Sequence, residues 1–472
     1  MFESLASPTA SHLPPGRFGP PVIGRAIGQT LPLVRNTRAF LTEQRARYGE
    51  VVHIGFMGEN GAVNAAIVFG REAQAEVLRD NERFPAAPGY AFSKPTLGNS
   101  LLSSDGDLHT RQRKVIAPAF SSKLFGAFVE RVEEAAQTVF AAWGKKGKRV
   151  FYTDAQEIMF RLACRIILGV NDEEYASSYQ ETLAKWETLQ QGVTNPIHLE
   201  RLPVVRWPLP WHRQMEAARW LDAQVLEREQ MGTADPNSVL GILMAERARR
   251  YAEGGITAVD AEEEDNRIAQ HLRLILFAAY GTTAGTVSRI LLELYRRPDT
   301  WAQRVSTELG VGRIGEPVTL AQVREEATPE TNLFLRECLR MYPGQHLIVR
   351  GCTQHWQVHG HTIPAGWVVI IPALLNHRNP EAFPNPDVFD PDRFRDPTPE
   401  LREKQQQALA IFGGGAHACP GQHLAQVEIK AILARLLRDF DVQLLTQDME
   451  AQIFDPAGRP KSGTRIAYRR VA

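Results

Sequence analysis

Three consecutive glycines shortly before a cysteine, in the stretch Phe412–Gly421 (FGGGAHACPG), constrain this chain more than any other feature. Glycine accepts backbone angles and close approaches that any side chain would block. Three in a row predict a loop pressed flat against a neighbouring surface, holding one sulfur at a fixed point. Pro420 removes a backbone donor and fixes the chain directly after that sulfur. Beyond Gln422, Leu424, Val427, Ile432, Leu433 and Leu436 recur at helical spacing. Cys419 is thereby placed at a helix N-terminus, where amide groups and the helix dipole stabilise a thiolate. Two plainer readings compete. Cys419 can be an inert buried thiol, or His417, Cys419 and His423 can be a fragment of a zinc site, which lacks a fourth ligand and a C-x-x-C partner.

The other cysteines, Cys164, Cys338 and Cys352, are too sparse for a disulfide framework, which fits a reducing cytoplasm. Lys plus Arg (54) balance Asp plus Glu (54), so no global field points to nucleic acid. The N-terminus MFESLASPTASHLPPG has neither the basic nor the apolar region of a secretory signal. An unbroken run of about 18 apolar residues, as a membrane anchor needs, is not found.

Helical periodicity dominates, and no internal boundary stands out. The expectation is a mainly α fold with minor β, one domain over residues 1–472, with 1–20 as an extended lead-in. A helix ending at Tyr48 leads to two strands, VVHIGFM and NAAIVFG. GFMGENG (Gly55–Gly61) between them is not G-x-G-x-x-G and opens no helix; it reads as a hairpin turn rather than a nucleotide site. Phe84–Ser104, rich in Pro, Gly, Ser and Ala, reads as a long functional loop. Helices follow at Phe125–Trp143 and Ala155–Leu168. Two more, between Tyr175 and Gln230, flank the apolar linker NPIHLERLPVVRWPLPWHR, read as a lid. The acidic run EGGITAVDAEEEDNR reads as a solvated loop before a long helix, Asn266–Arg297. At the centre of that helix, FAAYGTTAGT places Gly281 and Gly285 among poor helix formers, predicting a local bulge.

Three further patterns accompany the cysteine loop. His109 and Arg113 stand four apart on one helix face. Glu337 and Arg340 stand three apart in RECLRMYP, and Pro391-x-Arg393-Phe394 follows downstream. Taken together and in this order, these stretches resemble the cytochrome P450 family.

That resemblance implies the P450 fold, with haem b held between the long central helix and the cysteine loop. Cys419 would be the thiolate ligand of the iron; Phe412, Gly415, His417 and Gly421 complete the loop. His109, Arg113 and Arg350 would bind haem propionates, for which arginine's planar fork is suited. Glu337, Arg340 and Arg393 would form a buried triad. Ala278-Ala279-Tyr280-Gly281-Thr282 would match the family's A-G-x-acid-T, with Ala278 facing haem and substrate. Thr282, assisted by Thr283, would handle oxygen and protons. Gly281 stands where the family carries an acid, and Ala279 replaces the usual glycine. The substrate pocket would draw on Tyr90, Phe92, Leu101, Phe277, Leu347, Ile348, Val349, Ile453 and Phe454, with Gln345 and His346 as polar groups.

The function so implied is insertion of one oxygen atom from O2 into an apolar organic substrate, as in secondary metabolism. Electrons would come from a separate ferredoxin and ferredoxin reductase, and the protein would be a cytoplasmic monomer without a transmembrane anchor. The missing acid supports an alternative: peroxygenase, isomerase or dehydratase chemistry on the same fold. A haem protein without turnover is a third possibility.

Overall fold

The computed structural model describes residues 13–16, 33, 36–58, 61–170, 179–194, 210–232, 235–254, 258–297, 300–310, 313–445 and 461–471. The longer helices, in chain order, are α1 (Thr37–Tyr48), α2 (Arg71–Arg79), α3 (Gly106–Ile116), α4 (Phe125–Ala141), α5 (Phe151–Leu162), α6 (Tyr179–Thr194) and α7 (Pro210–Met231). They continue as α8 (Val239–Ala252), α9 (Ala258–Arg296), α10 (Trp301–Glu308), α11 (Pro329–Met341), α12 (Pro399–Ala408) and α13 (Gln422–Asp439).

Helix α9 is the axis of the molecule. It has 39 residues, so it spans about 58 Å at 1.5 Å per residue. From Thr283 to Leu294 its residues are buried on every side, the polar Thr283, Thr286, Ser288, Arg289 and Glu293 among them. Helices α5, α7, α11 and α13 pack against it. Ile268–Arg296 is apolar enough on average to cross a bilayer, but 67% of its most apolar window is buried inside the protein, so it serves as a core helix.

Two expectations about α9 are corrected. It starts at Ala258, so residues 258–265 of the acidic run are helical rather than loop. The bulge is absent: the helix is continuous through Gly281 and Gly285. The Thr282 hydroxyl donates to the Ala278 carbonyl, and that of Thr286 to the Thr282 carbonyl at 2.7 Å. Burial overrides the weak propensity, and the threonines bond back into their own helix. A wide π-turn occurs instead at Ala163–Ile167, at the end of α5.

The strands, in chain order, are β1 (Val51–Gly58), β2 (Gly61–Val68), β3 (Lys146–Val150), β4 (Ile348–Gly351), β5 (Trp356–Val358), β6 (His361–Ile363), β7 (Val368–Ile371), β8 (Phe440–Leu444) and β9 (Arg465–Arg470). Four of them form a sheet to one side, in the order β1-β2-β7-β4. Strands β1 and β2 form the expected antiparallel hairpin. β7 pairs parallel to β2 and antiparallel to β4. Both faces are covered by side chains, so β4 and β7 are buried throughout. Pro15 of the lead-in accepts the His53 amide at 2.8 Å and joins this sheet. The segment Phe84–Ser104 is not an open loop. It folds as a series of short turns, Ala86–Gly89, Ala91–Ser93, Lys94–Leu97 and Leu101–Ser103. Small residues and local hydrogen bonds, such as Ser93 Oγ to the Tyr90 carbonyl at 2.7 Å, allow this compact path. Residues 195–209 of the linker read as a lid lie outside the described residues.

Below α9, Glu337 and Arg340 are fully buried on α11. The Glu337 carboxylate accepts two bonds from Arg340, at 2.7 and 2.8 Å, one from Arg393 Nε at 3.2 Å and one from the Asp390 amide at 2.8 Å. Arg340 also donates to the carbonyls of His377 and Pro386, and Arg393 to those of Pro384 and Val388. Four sites on the 377–393 segment, His377, Pro386, Asp390 and Arg393, are thereby bonded directly to α11, and Arg393 ties Pro384 and Val388 to them. The His377 ring in turn accepts the Ala410 amide through Nε2 at 2.9 Å, two residues before Phe412.

Glu337→Ala leaves two arginines without their shared anion and should lower the unfolding free energy by about 3–5 kcal/mol. Chemical denaturation of mutant and parent measures this; a loss below about 1 kcal/mol, the scale of an exposed pair, would contradict the buried geometry. A pH dependence follows from His377. Burial, then the Arg378 charge, pushes its pKa down to about 3. The folded state therefore favours the neutral ring, and this contribution, complete above the ordinary value of about 6.5, is lost as pH falls towards about 3. Unfolding free energy should decline over that interval, and less steeply in His377→Gln, which keeps an acceptor; parallel profiles would remove His377 from the account.

Candidate active site

The cysteine loop rests on backbone angles that favour glycine. Gly413 and Gly415 have φ of +71° and +62°. A Cβ on Gly415 would lie 2.0 Å from the Leu78 carbonyl oxygen of α2. One surface the glycines press against is therefore this helix. The Cys419 amide donates to the Phe412 carbonyl at 2.8 Å and closes the loop. Helix α13 starts at Gln422, so Cys419 stands three residues before it, at its N-terminal end. Cys164, Cys338 and Cys352 are buried, whereas Cys419 is exposed. The protein packed behind Cys419 raises its thiol pKa; the Gly421 amide and the Arg113 charge act in the opposite direction.

Four of the expected binding residues converge beside this loop. Arg113 donates to the Ala418 carbonyl at 2.7 Å, one residue before the sulfur. His109 stacks on His417, ring centroids 4.0 Å apart. Burial first, then the charges of His417 and Arg113, holds His109 down to a pKa of about 4, so its ring is neutral. Among the described residues, His109 Nε2 and Arg350 Nε are buried without an acceptor. Buried donors in that state need partners, and with Arg113 they fit a dianionic edge such as the propionates of haem. The exposed thiol on the cysteine loop fits a soft metal ion. Of the imidazoles in the zinc reading, His417 lies 3.1 Å from Asp105 and His423 3.1 Å from Gln422, so both have other partners.

On α9, Ala278 is exposed, Thr282 half-buried, and Gly281 and Thr283 buried. The segment before β4 approaches this helix: a Cβ on Gly344 would lie 3.8 Å from Thr282 Cβ. Tyr90, Leu347 and Val349 share one apolar cluster, with Phe92 packed against it. Gln345 donates to the Tyr90 hydroxyl at 2.5 Å, and the Arg350 guanidinium lies 5.9 Å from the Tyr90 ring. Burial, with the charges of Arg289 and Arg378, holds His346 down to a pKa of about 4.

Ile348 does not join this group. Strand alternation turns it to the other face of β4, into the cluster of Val77, Phe84 and Trp356. Leu101 belongs to the main core with Val115 and Ile116, and Phe277 is half-buried on α9. Ile453 and Phe454 lie outside the described residues.

Two residues escaped the sequence reading. Asp105, just before α3, accepts from His417 at 3.1 Å and from the Ala86 and Ala87 amides at 2.8 and 2.7 Å. Burial pushes its carboxyl up, but these bonds outweigh that and leave it below the usual range. Arg273, one turn before Phe277, donates to the Thr96 carbonyl at 2.6 Å and lies 3.1 Å from Asp222 of α7. An arginine within the apolar stretch Leu272–Ala279 was its only sequence signal.

A family model described as Cytochrome P450 matches residues 14–467. The cyclooctat-9-en-7-ol 5-monooxygenase of Streptomyces melanosporofaciens is 26% identical over 442 residues, 91% of each chain. The abscisic acid 8'-hydroxylase 3 of Oryza sativa subsp. indica is 27% identical, covering 96% of this chain and 86% of its own. Among solved structures, a retinoic acid-bound cyanobacterial CYP120A1 superposes with a TM-score of 0.79 over 98% of this chain and 100% of that one, at 23% identity, a likeness of fold.

Proposed function

The chain belongs to the cytochrome P450 family, and we propose that it inserts one oxygen atom from O2 into an apolar, terpenoid-like organic substrate. It is an oxidoreductase of the haem monooxygenase kind. The balance of that reaction is fixed: one oxygen atom enters a C–H bond, and two electrons and two protons reduce the other to water. The cofactor is haem b and the electron donor a ferredoxin with its reductase; the protein acts in the cytoplasm as a monomer. The terpenoid class is favoured because two relatives are named for such substrates, cyclooctat-9-en-7-ol and abscisic acid. The Tyr90, Leu347 and Val349 cluster, with the Gln345–Tyr90 pair, supplies an apolar wall carrying one polar point.

The carrying observation is one exposed thiol, Cys419, beside buried donors that have no protein acceptor, His109 Nε2 and Arg350 Nε. His109, Arg113 and Arg350 would hold the propionates. Bound haem supplies oxygen activation, with the Cys419 thiolate donating electron density to the iron. Thr282 keeps its hydroxyl proton on the Ala278 carbonyl, and rotation about its side chain frees that proton for delivery. Gly281 brings no carboxylate, so the Thr282 and Thr283 hydroxyls and ordered water must carry protons. This same feature favours a second reading, peroxide-driven oxygenation, isomerisation or dehydration, in which delivery of protons to O2 is not required.

Cys419→Ala should abolish the thiolate-type spectrum of the reduced carbon monoxide complex; its retention would mean another ligand. Turnover of a substrate found by spin-state screening of the ferric protein should require NAD(P)H and redox partners. Equal turnover with peroxide, or with substrate alone, would favour the second reading. Gly281→Asp should raise the fraction of NADPH consumption that ends in product; no change, or a fall, would count against proton delivery as the limiting step.

A further inference from the structure

We propose that Asp105 is a positioning residue that ties the cysteine loop to the base of the segment 86–104, so that haem loading orders that segment. The proposal rests on the haem reading above. Asp105 is the residue before α3, where an aspartate ordinarily caps its own helix. Its side chain makes no such bond. It reaches instead to the first two amides of the turn Ala86–Gly89, at 2.8 and 2.7 Å. Those amides lack a local acceptor because the capping position is Pro85, whose ring offers none. A favourable local cap has been exchanged for a distant one.

The third bond of the carboxylate, 3.1 Å from His417 Nε2, joins residues 312 apart in sequence. One carboxylate thus links three elements: α3, which carries His109 and Arg113; the cysteine loop; and Ala86–Gly89. That turn is seated on β4, which carries Arg350. The Gly351 amide donates to the Pro85 carbonyl at 2.8 Å, and a Cβ on Gly89 would lie 2.6 Å from the Val349 backbone. Tyr90 and Phe92 follow directly. Fixing His417 therefore fixes Asp105, and through it the start of the segment that bears the aromatic wall.

The test compares parent, Asp105→Ala, Asp105→Asn and His417→Phe, using haem transfer to excess apomyoglobin and amide hydrogen exchange of a peptide containing Ala86 and Ala87, with and without haem. In the parent, haem should slow exchange at these two amides. In Asp105→Ala, haem transfer should be about tenfold faster or more, the scale of a lost charge-assisted hydrogen bond, and exchange at Ala86 and Ala87 should be fast whether or not haem is bound. Asp105→Asn, which keeps one acceptor oxygen, should fall between. His417→Phe leaves the cap but cuts the tether, so its exchange should no longer respond to haem; it decides the matter if Asp105→Ala fails to fold. Parent-like haem transfer and parent-like protection in both Asp105→Asn and His417→Phe would overturn the proposal. If the parent takes up no haem, the haem reading fails; parent-like exchange at Ala86 and Ala87 in haem-free Asp105→Ala would then overturn the capping role separately.

Discussion

The Glu337 carboxylate, buried without exposure to water, is the interaction on which the arrangement around Cys419 depends. An ion in that position is costly unless every lone pair is used, and here two arginines and a backbone amide use them. Because the arginines continue to four carbonyls of the 377–393 segment, an irregular stretch becomes a rigid platform. The platform reaches the cysteine loop through His377 and Ala410. A second support comes from α2, where Gln74 donates to the Gln407 and Ala408 carbonyls at 2.9 and 2.7 Å. The Cys419 sulfur is thus held by charge on one side and by a helix on the other, with no long regular element of its own.

The site divides its labour between rigid and adaptable parts. Residues that would grip the cofactor stand on α3, β4 and the anchored loop, each of which is fixed by several long-range bonds. Several residues that would meet substrate stand on the 86–104 turns, which are attached to Asp105 at the base, to β4 and Gln345 along their length, and to Gln270 and Arg273 of α9 at the far end. Gln270 accepts the Asn99 amide at 2.7 Å. Such an arrangement lets one fold accept different substrates by changing turns while the cofactor cradle stays constant.

What the sequence makes legible follows contact range. Glu337 with Arg340 and His109 with Arg113 are visible because helix geometry alone brings them together. The glycine-rich loop is visible because its φ values exclude other residues. The Asp105–His417 bond is invisible, since nothing local marks an aspartate that abandons its own helix. The parallel pairing of β2 with β7 is hidden for the same reason. Ile348 was misread because an apolar run hides strand alternation, and the bulge at Gly281 because propensity gives no account of how tightly the centre of α9 is enclosed. The start of α9 at Ala258 was missed because an acidic run carries the same composition in a loop and on an exposed helix.

The contact between Gly415 and the Leu78 carbonyl turns α2 into a ruler for the loop. With 2.0 Å available where a Cβ would stand, only a glycine can occupy the position against that carbonyl. Inserting or deleting a single residue between Phe412 and Cys419 would displace the sulfur by about 3.8 Å, one residue's step along the chain. Variation in this region should therefore be confined to side chains that point away from α2, with loop length held constant, while the 86–104 turns are free to differ in both.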